Sequence, residues 1–197
     1  SLTEGQKTGC FLDQRSMRKL VGSLSQNSRV LNAFSYAGGF SLHALHGGAN
    51  HVTSVDICPR ATKLCEKNLQ GYEEKHRLIQ SDVFDFLDQS SPGEYDFIIL
   101  DPPAFAKKRK DIPKAAAGYR RLNRRAFEMC PSGSLLLTCS CSYYMDVSHF
   151  RQILFQAASE AKREVKILSS HIQAYDHPVS LYHPEGDYLK SFLLWVD

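Results

Sequence analysis

From residue 30 onward, short apolar and β-branched runs alternate with amphipathic stretches of helical period, the pattern of βαβ units around a mostly parallel sheet. The apolar runs predict strands at 30–34, 51–55, 78–80, 95–100 and 134–138, and the 3.6-residue period predicts helices at 40–46, 59–69, 83–87, 114–130 and 148–161. Pro59 suits the first turn of its helix, and Pro131-Ser132-Gly133 turns the longest helix into the next strand. The run at 95–100 is nearly all apolar, as a strand covered on both faces requires. Two further strands, 165–168 and 188–196, are separated by the long connection 169–187, which implies one antiparallel strand at or near the sheet edge. Ahead of residue 30, positions 10–12 read as extended and 14–24 as helical. The expected organisation is a short N-terminal extension, 1–29, packed as a lid on a domain of residues 30–197.

Open α/β sheets bind ligands at the carboxyl ends of their strands, and polar residues stand there in series. The Gly38-Gly39 turn follows the first strand, while Asp56, Asp82 and Asp101 follow the second, third and fourth. An acid at the second strand end, 17 residues after Gly39, suits ribose hydroxyls, and Asp82 suits an adenine amino group. The turn is not Gly-x-Gly-x-x-Gly, so the pyrophosphate seat of a dinucleotide site is missing and a nucleoside without phosphates fits better. The fifth strand runs into Cys139-Ser140-Cys141-Ser142. A free cysteine ordinarily packs as a small hydrophobe. With Asp101-Pro102-Pro103 at another strand end, however, a carboxylate and a thiol can flank one substrate, which makes Cys141 a candidate nucleophile. Cys139, inside the strand, reads as core.

At 197 residues and 43% hydrophobic content, one sizeable core is expected. No apolar run approaches the roughly 20 residues that span a bilayer, and no signal-peptide pattern opens the chain, so a soluble cytoplasmic protein without membrane partners is expected. Six cysteines without a Cys-x-x-Cys pair fit reduced thiols. His43, His46 and His51, like His171, His177 and His183, lack ligand spacing, so no metal is expected. The net charge of +3 is unevenly spread: residues 107–125 hold nine basic side chains and one acid, a net +8, leaving −5 on the other 178 residues. Such a patch is the footprint of a polyanion or a solvated helical face. Arg120, Arg121, Arg124 and Arg125 share one helical side with no interleaved Glu to pair them, which favours nucleic acid.

Leu12-Asp13-Gln14-Arg15, Asn32-Ala33-Phe34-Ser35-Tyr36-Ala37-Gly38-Gly39-Phe40, Val55-Asp56, Asp82-Val83-Phe84, Asp101-Pro102-Pro103-Ala104-Phe105, Gly118-Tyr119-Arg120, Ser140-Cys141-Ser142, Asp176-His177-Pro178 and Pro184-Glu185-Gly186-Asp187-Tyr188-Leu189-Lys190 resemble, in order, the motifs of S-adenosylmethionine-dependent cytosine-carbon-5 methyltransferases of large-subunit ribosomal RNA (the RlmI type). The resemblance covers nearly the whole chain. It implies a Rossmann-like class I methyltransferase fold, with a seven-stranded, mostly parallel sheet carrying one antiparallel strand. It also implies S-adenosyl-L-methionine as cofactor and ribosomal RNA as partner, as monomer or homodimer. Cofactor contacts are implied for Arg15, Phe34, Ser35, Tyr36, Ala37, Gly38, Asp56, Ile57, Asp82, Val83, Asp101 and Pro102. Catalysis falls to Cys141, which would add to carbon 6 of the pyrimidine, and to Asp101, which would hold the base edge. Lys190, Arg15 or the basic loop would favour the thiolate.

RNA contacts are expected at Lys107, Lys108, Arg109, Arg120, Arg121, Arg124 and Arg125. The family's usual N-terminal PUA-like RNA-binding domain is not among these residues, which places more of the docking on the basic segment or on residues outside this sequence. Tyr119, Phe105 and Tyr143 are candidates to stack on an extruded base or to pack in the core. Two other readings are open. Asp-Pro-Pro followed by an aromatic also grips exocyclic amino groups, although Phe105 comes one residue late for that motif. A non-catalytic RNA-binding module on the same fold is the third.

Overall fold

The computed structural model describes residues 11–183 and 186–197; Cys10 with the residues before it, and Pro184-Glu185, lie outside the described residues. Seven strands form one sheet in the order β3-β2-β1-β4-β5-β7-β6. They are β1 (Arg29–Ala33), β2 (His51–Asp56), β3 (His76–Gln80), β4 (Phe97–Leu100), β5 (Ser134–Ser140), β6 (Val165–His171) and β7 (Lys190–Val196). The pairs among β1 to β5 are parallel, and β7 lies antiparallel between β5 and β6. The predicted seven-stranded, mostly parallel sheet with one reversed strand is therefore observed.

Several boundaries differ from the pattern-based expectation for identifiable reasons. β4 begins at Phe97 rather than residue 95, because the Arg29 guanidinium and backbone amide grip the Asp96 carboxylate at 2.7–3.0 Å, just ahead of the ladder. β5 continues two residues past Thr138, since β7 pairs with it as far as Ser140 opposite Lys190. β6 runs to His171 and carries an irregularity between Ile167 and Ser169, where one extra residue bends an edge strand. β3 starts two residues earlier, at His76.

Helices cover both faces. On one side α1 (Arg15–Leu24), α2 (Gly39–His46) and α3 (Pro59–Asn68) enclose a core that includes Met17, Val21, Phe40, Cys65, Phe97, Ile99, Leu137 and Cys139. On the other, α4 (Val83–Gln89), α5 (Ile112–Met129) and α6 (Val147–Ala161) enclose Leu31, Ile98, Leu100, Tyr119, Phe127, Leu136 and Phe150. The period-two alternation of strands fixes this sorting. Residues 137 and 139 of β5 point to the α1 side and 136 to the α5 side. Among the described residues, no helix is long and apolar enough to cross a membrane.

α1 seats against α2 through backbone contact. A Cβ at Gly47 would lie 1.8 Å from the Gly22 carbonyl oxygen, so only glycine admits this approach. Gly47→Ala is therefore expected to lower unfolding stability by ~1–3 kcal/mol, read as a shifted urea midpoint. An unchanged midpoint would mean that α1 is not seated there.

Candidate functional site

The carboxyl edge of the sheet gathers three constructions. The first is the turn after β1. Phe34, Tyr36 and Gly38 have φ of 61°, 47° and 79°, and left-handed backbone in two bulky residues is kept only where surroundings enforce it. The enforcement comes from β2: the Asp56 carboxylate accepts from the Tyr36 amide (2.8 Å) and the Cys58 amide (2.9 Å), and the Ser35 amide donates to the Val55 carbonyl. α2 then starts at Gly39 with no side chain capping its first amides, a helix start suited to polar ligand atoms. Ser35 is buried, and the Ala37 carbonyl is held by Asn68. Ile57, next to Asp56, is 62% exposed, an apolar face open at the ligand edge. Asp82 caps α4, accepting from the amides of Phe84 (2.8 Å) and Asp85 (3.3 Å), while Val83 is core.

The second construction is where β4 and β5 end side by side, with Leu100 opposite Thr138. Asp101 accepts from the Gln14 side-chain amide at 2.9 Å. Burial pushes its carboxyl up to about 6, against the Gln14 hydrogen bond and the Arg18 charge. The half-buried Cys141 thiol lies 3.7 Å from the Pro102 carbonyl. Its neighbour Cys139 is sealed, and burial raises its thiol well above the ordinary range. Lys190 of β7 is buried and donates to the Ser142 carbonyl at 2.9 Å. Burial lowers its ammonium pKa, while Asp187, Cys141 and Asp146 oppose that shift. Of the three sources of positive charge expected near the thiol, Lys190 feels the Cys141 charge; Arg15 pairs with Asp176 at 3.0 Å and lies over the Tyr175 ring.

Four residues with no individually assigned role complete this edge. Gln14 and Arg18 act on Asp101, and Asp13 accepts from the Tyr188 hydroxyl while its carbonyl takes the Ala174 amide. The signal was available in retrospect: Asp13-Gln14 is a polar pair directly ahead of an amphipathic helix, and both are buried.

The third construction is the basic segment, where the expectation of unpaired arginines is corrected. The α5 arginines do have acidic partners, supplied by α4, α6 and the end of α5 itself: Arg120 with Glu160 (3.6 Å), Arg121 with Asp88 (2.7 Å) and Arg124 with Glu128 (3.6 Å). Arg125 caps the end of α4, donating to the carbonyls of Leu87 (2.9 Å) and Ser90 (3.0 Å). By contrast, Lys107, Lys108, Arg109, Lys110 and Lys114 are exposed and form no ion pair among the described residues. Tyr119 is no stacking platform: it is fully buried, hydrogen bonded to Ser140 and Ser142 and packed on Phe105 and Phe150. Tyr143 and Tyr144, 50% and 42% exposed, stand instead beside Cys141 in the chain. Among the described residues, no three His, Cys, Asp or Glu side chains converge as metal ligands.

A family model described as S-adenosylmethionine-dependent methyltransferase matches residues 1–164. Ribosomal RNA large subunit methyltransferase I of Aeromonas salmonicida is 41% identical over 198 residues, covering 98% of this chain and 50% of its own length. The protein of the same name from Vibrio vulnificus is 42% identical, covering 95% and 49%. The chain thus spans about half the length of the curated relatives it matches. Among solved structures, a methyltransferase in complex with SAH is 29% identical with a TM-score of 0.84, covering 97% of this chain and 51% of that one. An S-adenosylmethionine-dependent methyltransferase from Streptococcus mutans is 30% identical with a TM-score of 0.83, covering 97% and 50%.

A carboxyl group raised to about 6 binds its proton more tightly folded than unfolded. Stability should therefore fall as pH rises from about 4 to about 6, with the loss complete above that window. Asp101→Asn, which keeps an acceptor for Gln14 and removes the charge, is expected to raise unfolding stability at pH 7 by roughly 3 kcal/mol and at pH 4 by less than about 1 kcal/mol. Equal stabilities of the two proteins at both pH values would contradict this.

Proposed function

This chain belongs to the S-adenosylmethionine-dependent methyltransferase family, and from that membership we propose that it methylates carbon 5 of a cytosine in large-subunit ribosomal RNA through a covalent Cys141 adduct. The observation that carries the proposal is the partly buried Cys141 thiol at the Pro102 carbonyl, with the Lys190 ammonium on the carbonyl of the next residue, Ser142, and the neighbouring Cys139 sealed. The substrate class is supported by the names of the relatives.

The residues present fit S-adenosylmethionine: an uncapped helix start at Gly39, the Asp56 carboxylate for ribose hydroxyls, and the exposed Ile57 as an apolar face for a purine. When bound, it supplies an electrophilic methyl group. Carbon 5 of cytosine is a poor nucleophile, so Cys141, as thiolate, adds to carbon 6 and moves the ring's C5=C6 electron pair onto carbon 5. Carbon 5 would then take the methyl group, the sulfonium–methyl bond breaking with its electron pair left on sulfur as the thioether. Loss of the carbon 5 proton to a base re-forms the double bond, breaks the sulfur–carbon 6 bond and returns the thiolate. The Lys190 charge favours the thiolate form. Asp101 holds the base edge, and its carboxyl changes charge near pH 6. The target base leaves its stack to reach this edge, and Tyr143 and Tyr144 offer exposed rings there.

RNA carrying 5-fluorocytosine tests the chemistry, because fluorine at carbon 5 cannot leave as a proton does. With S-adenosylmethionine present, the wild type and Cys139→Ala are expected to form a denaturation-resistant adduct that Cys141→Ala lacks. Methyl transfer surviving in Cys141→Ala, with no adduct in the wild type, would move the reaction to an amino group.

Docking is tested by salt. Replacing Lys107, Lys108, Arg109 and Lys110 with alanine should flatten the log affinity against log salt by about 2–3, whereas Arg121→Ala leaves it nearly unchanged. Equal slopes for the wild type and the fourfold variant would remove this segment from the interface.

A further inference from the structure

Between α4, the loop after β4 and the start of α5 lies a cleft of about 390 Å³, lined by Phe84, Phe105, Asp111, Lys114, Ala115 and Gly118. That volume falls within the ~300–1,000 Å³ of small-ligand pockets. None of Asp56, Ile57, Asp82, Pro102 or Cys141 lines it, so the methyl-transfer site leaves it unassigned. Two of its walls are aromatic: the rings of Phe84 and Phe105 have centroids 6.3 Å apart and planes inclined by 31°. Gly118 lets Phe105 settle, since a Cβ there would come within 3.2 Å of the ring. Its rim is cationic. Asp111 is engaged by the Lys108 backbone amide at 3.0 Å, and Lys114 forms no ion pair among the described residues. The exposed cations of residues 107–110 begin two positions after Phe105.

We propose that this cleft takes the base of a nucleotide adjacent to the target in a single-stranded stretch of the RNA. The base stacks on Phe105, and its phosphate is met by Lys114 and the cations of residues 107–110. An apolar π wall beneath unneutralised cations is the pairing that a single strand requires, one for the base and one for the backbone. Position narrows the occupant further: Phe105 follows Asp101 by four residues, at most ~14 Å of extended chain, the reach of a near neighbour of a target base lying against Asp101. The inference rests on the methyl-transfer reading above, with its target beside Asp101 and Cys141.

The test uses short oligoribonucleotides with a single 5-fluorocytosine, which fixes the register by capture at Cys141, and an abasic ribose moved through each neighbouring position. In the wild type, one abasic position should slow capture at subsaturating RNA by roughly tenfold to a hundredfold. Phe105→Leu should be slowed by a similar factor on the intact oligonucleotide and lose its sensitivity to that position. Because Phe105 also packs on Tyr119, the exposed Lys114→Glu gives a second variant in which folding is not at stake, and it should likewise weaken capture. Affinity for S-adenosylhomocysteine, read by calorimetry, should be unchanged in both variants. Capture indifferent to every abasic position would overturn the proposal. So would a Phe105→Leu variant that loses S-adenosylhomocysteine affinity, since the cleft would then hold the cofactor's adenine. If the wild type forms no adduct at all, the covalent reading fails, and fluorescence anisotropy with the same abasic series still decides whether the cleft holds a base.

Discussion

The parallel register of β1, β4 and β5 is the constraint from which the site follows. Ala33 lies opposite Leu100, and Leu100 opposite Thr138. Strands that run the same way deliver their next residues to the same edge: the strained turn at Phe34–Tyr36, Asp101-Pro102, and Cys141 three positions past Thr138. The period of two then separates the cysteines. Cys139 and Cys141 share a face, but Cys139 is still inside the sheet and contributes to its core, whereas Cys141 has passed the last ladder position. A slip of one residue would exchange the two covered faces of β5, one packed under α1 and the other under α5, so the packing of Leu136 and Leu137 on opposite layers is what aims the thiol.

The reversed strand and the N-terminal segment then close that edge. Because β7 pairs antiparallel with β5, its first residue, Lys190, meets the last residue of β5, Ser140. Tyr188 just before it reaches Asp13, and Gln14 beside Asp13 reaches Asp101. Burial shifts two groups toward their neutral forms, raising the Asp101 carboxyl and lowering the Lys190 ammonium. Each is tempered by a specific partner, Gln14 for the acid and the Asp187 charge for the base. Opposed perturbations at one strand edge make that edge a candidate site.

Much of this was legible in the residues because it depends on local pattern. Strand runs, the glycine turn, the acids at strand ends and the Ser-Cys-Ser tail all lie within short windows. What was not legible depends on contacts across the chain. The Gln14–Asp101 and Asp13–Tyr188 bonds link residues 87 and 175 apart in sequence, beyond any periodicity. The α5 arginines illustrate the same limit: an i, i+4 search along one helix sees at most Glu128, whereas Asp88 and Glu160 come from other helices. Tyr119 stood open between stacking and packing because its helix face, not its residue type, decides burial, and its hydroxyl is satisfied by two serines of β5 and its extension. Within the 107–125 patch, the cations without an ion pair among the described residues are those of the loop and the start of α5.

The central claim is geometric: the thiol and the transferred methyl group face one substrate across Asp101-Pro102. A crystal structure with S-adenosylhomocysteine measures it directly. The account predicts the ligand's sulfur between the Gly38 turn and Pro102, on the same side as Cys141 Sγ, with an open path for a base between the two sulfurs. A ligand sulfur walled off from Cys141 by the β4 and β5 ends would contradict it.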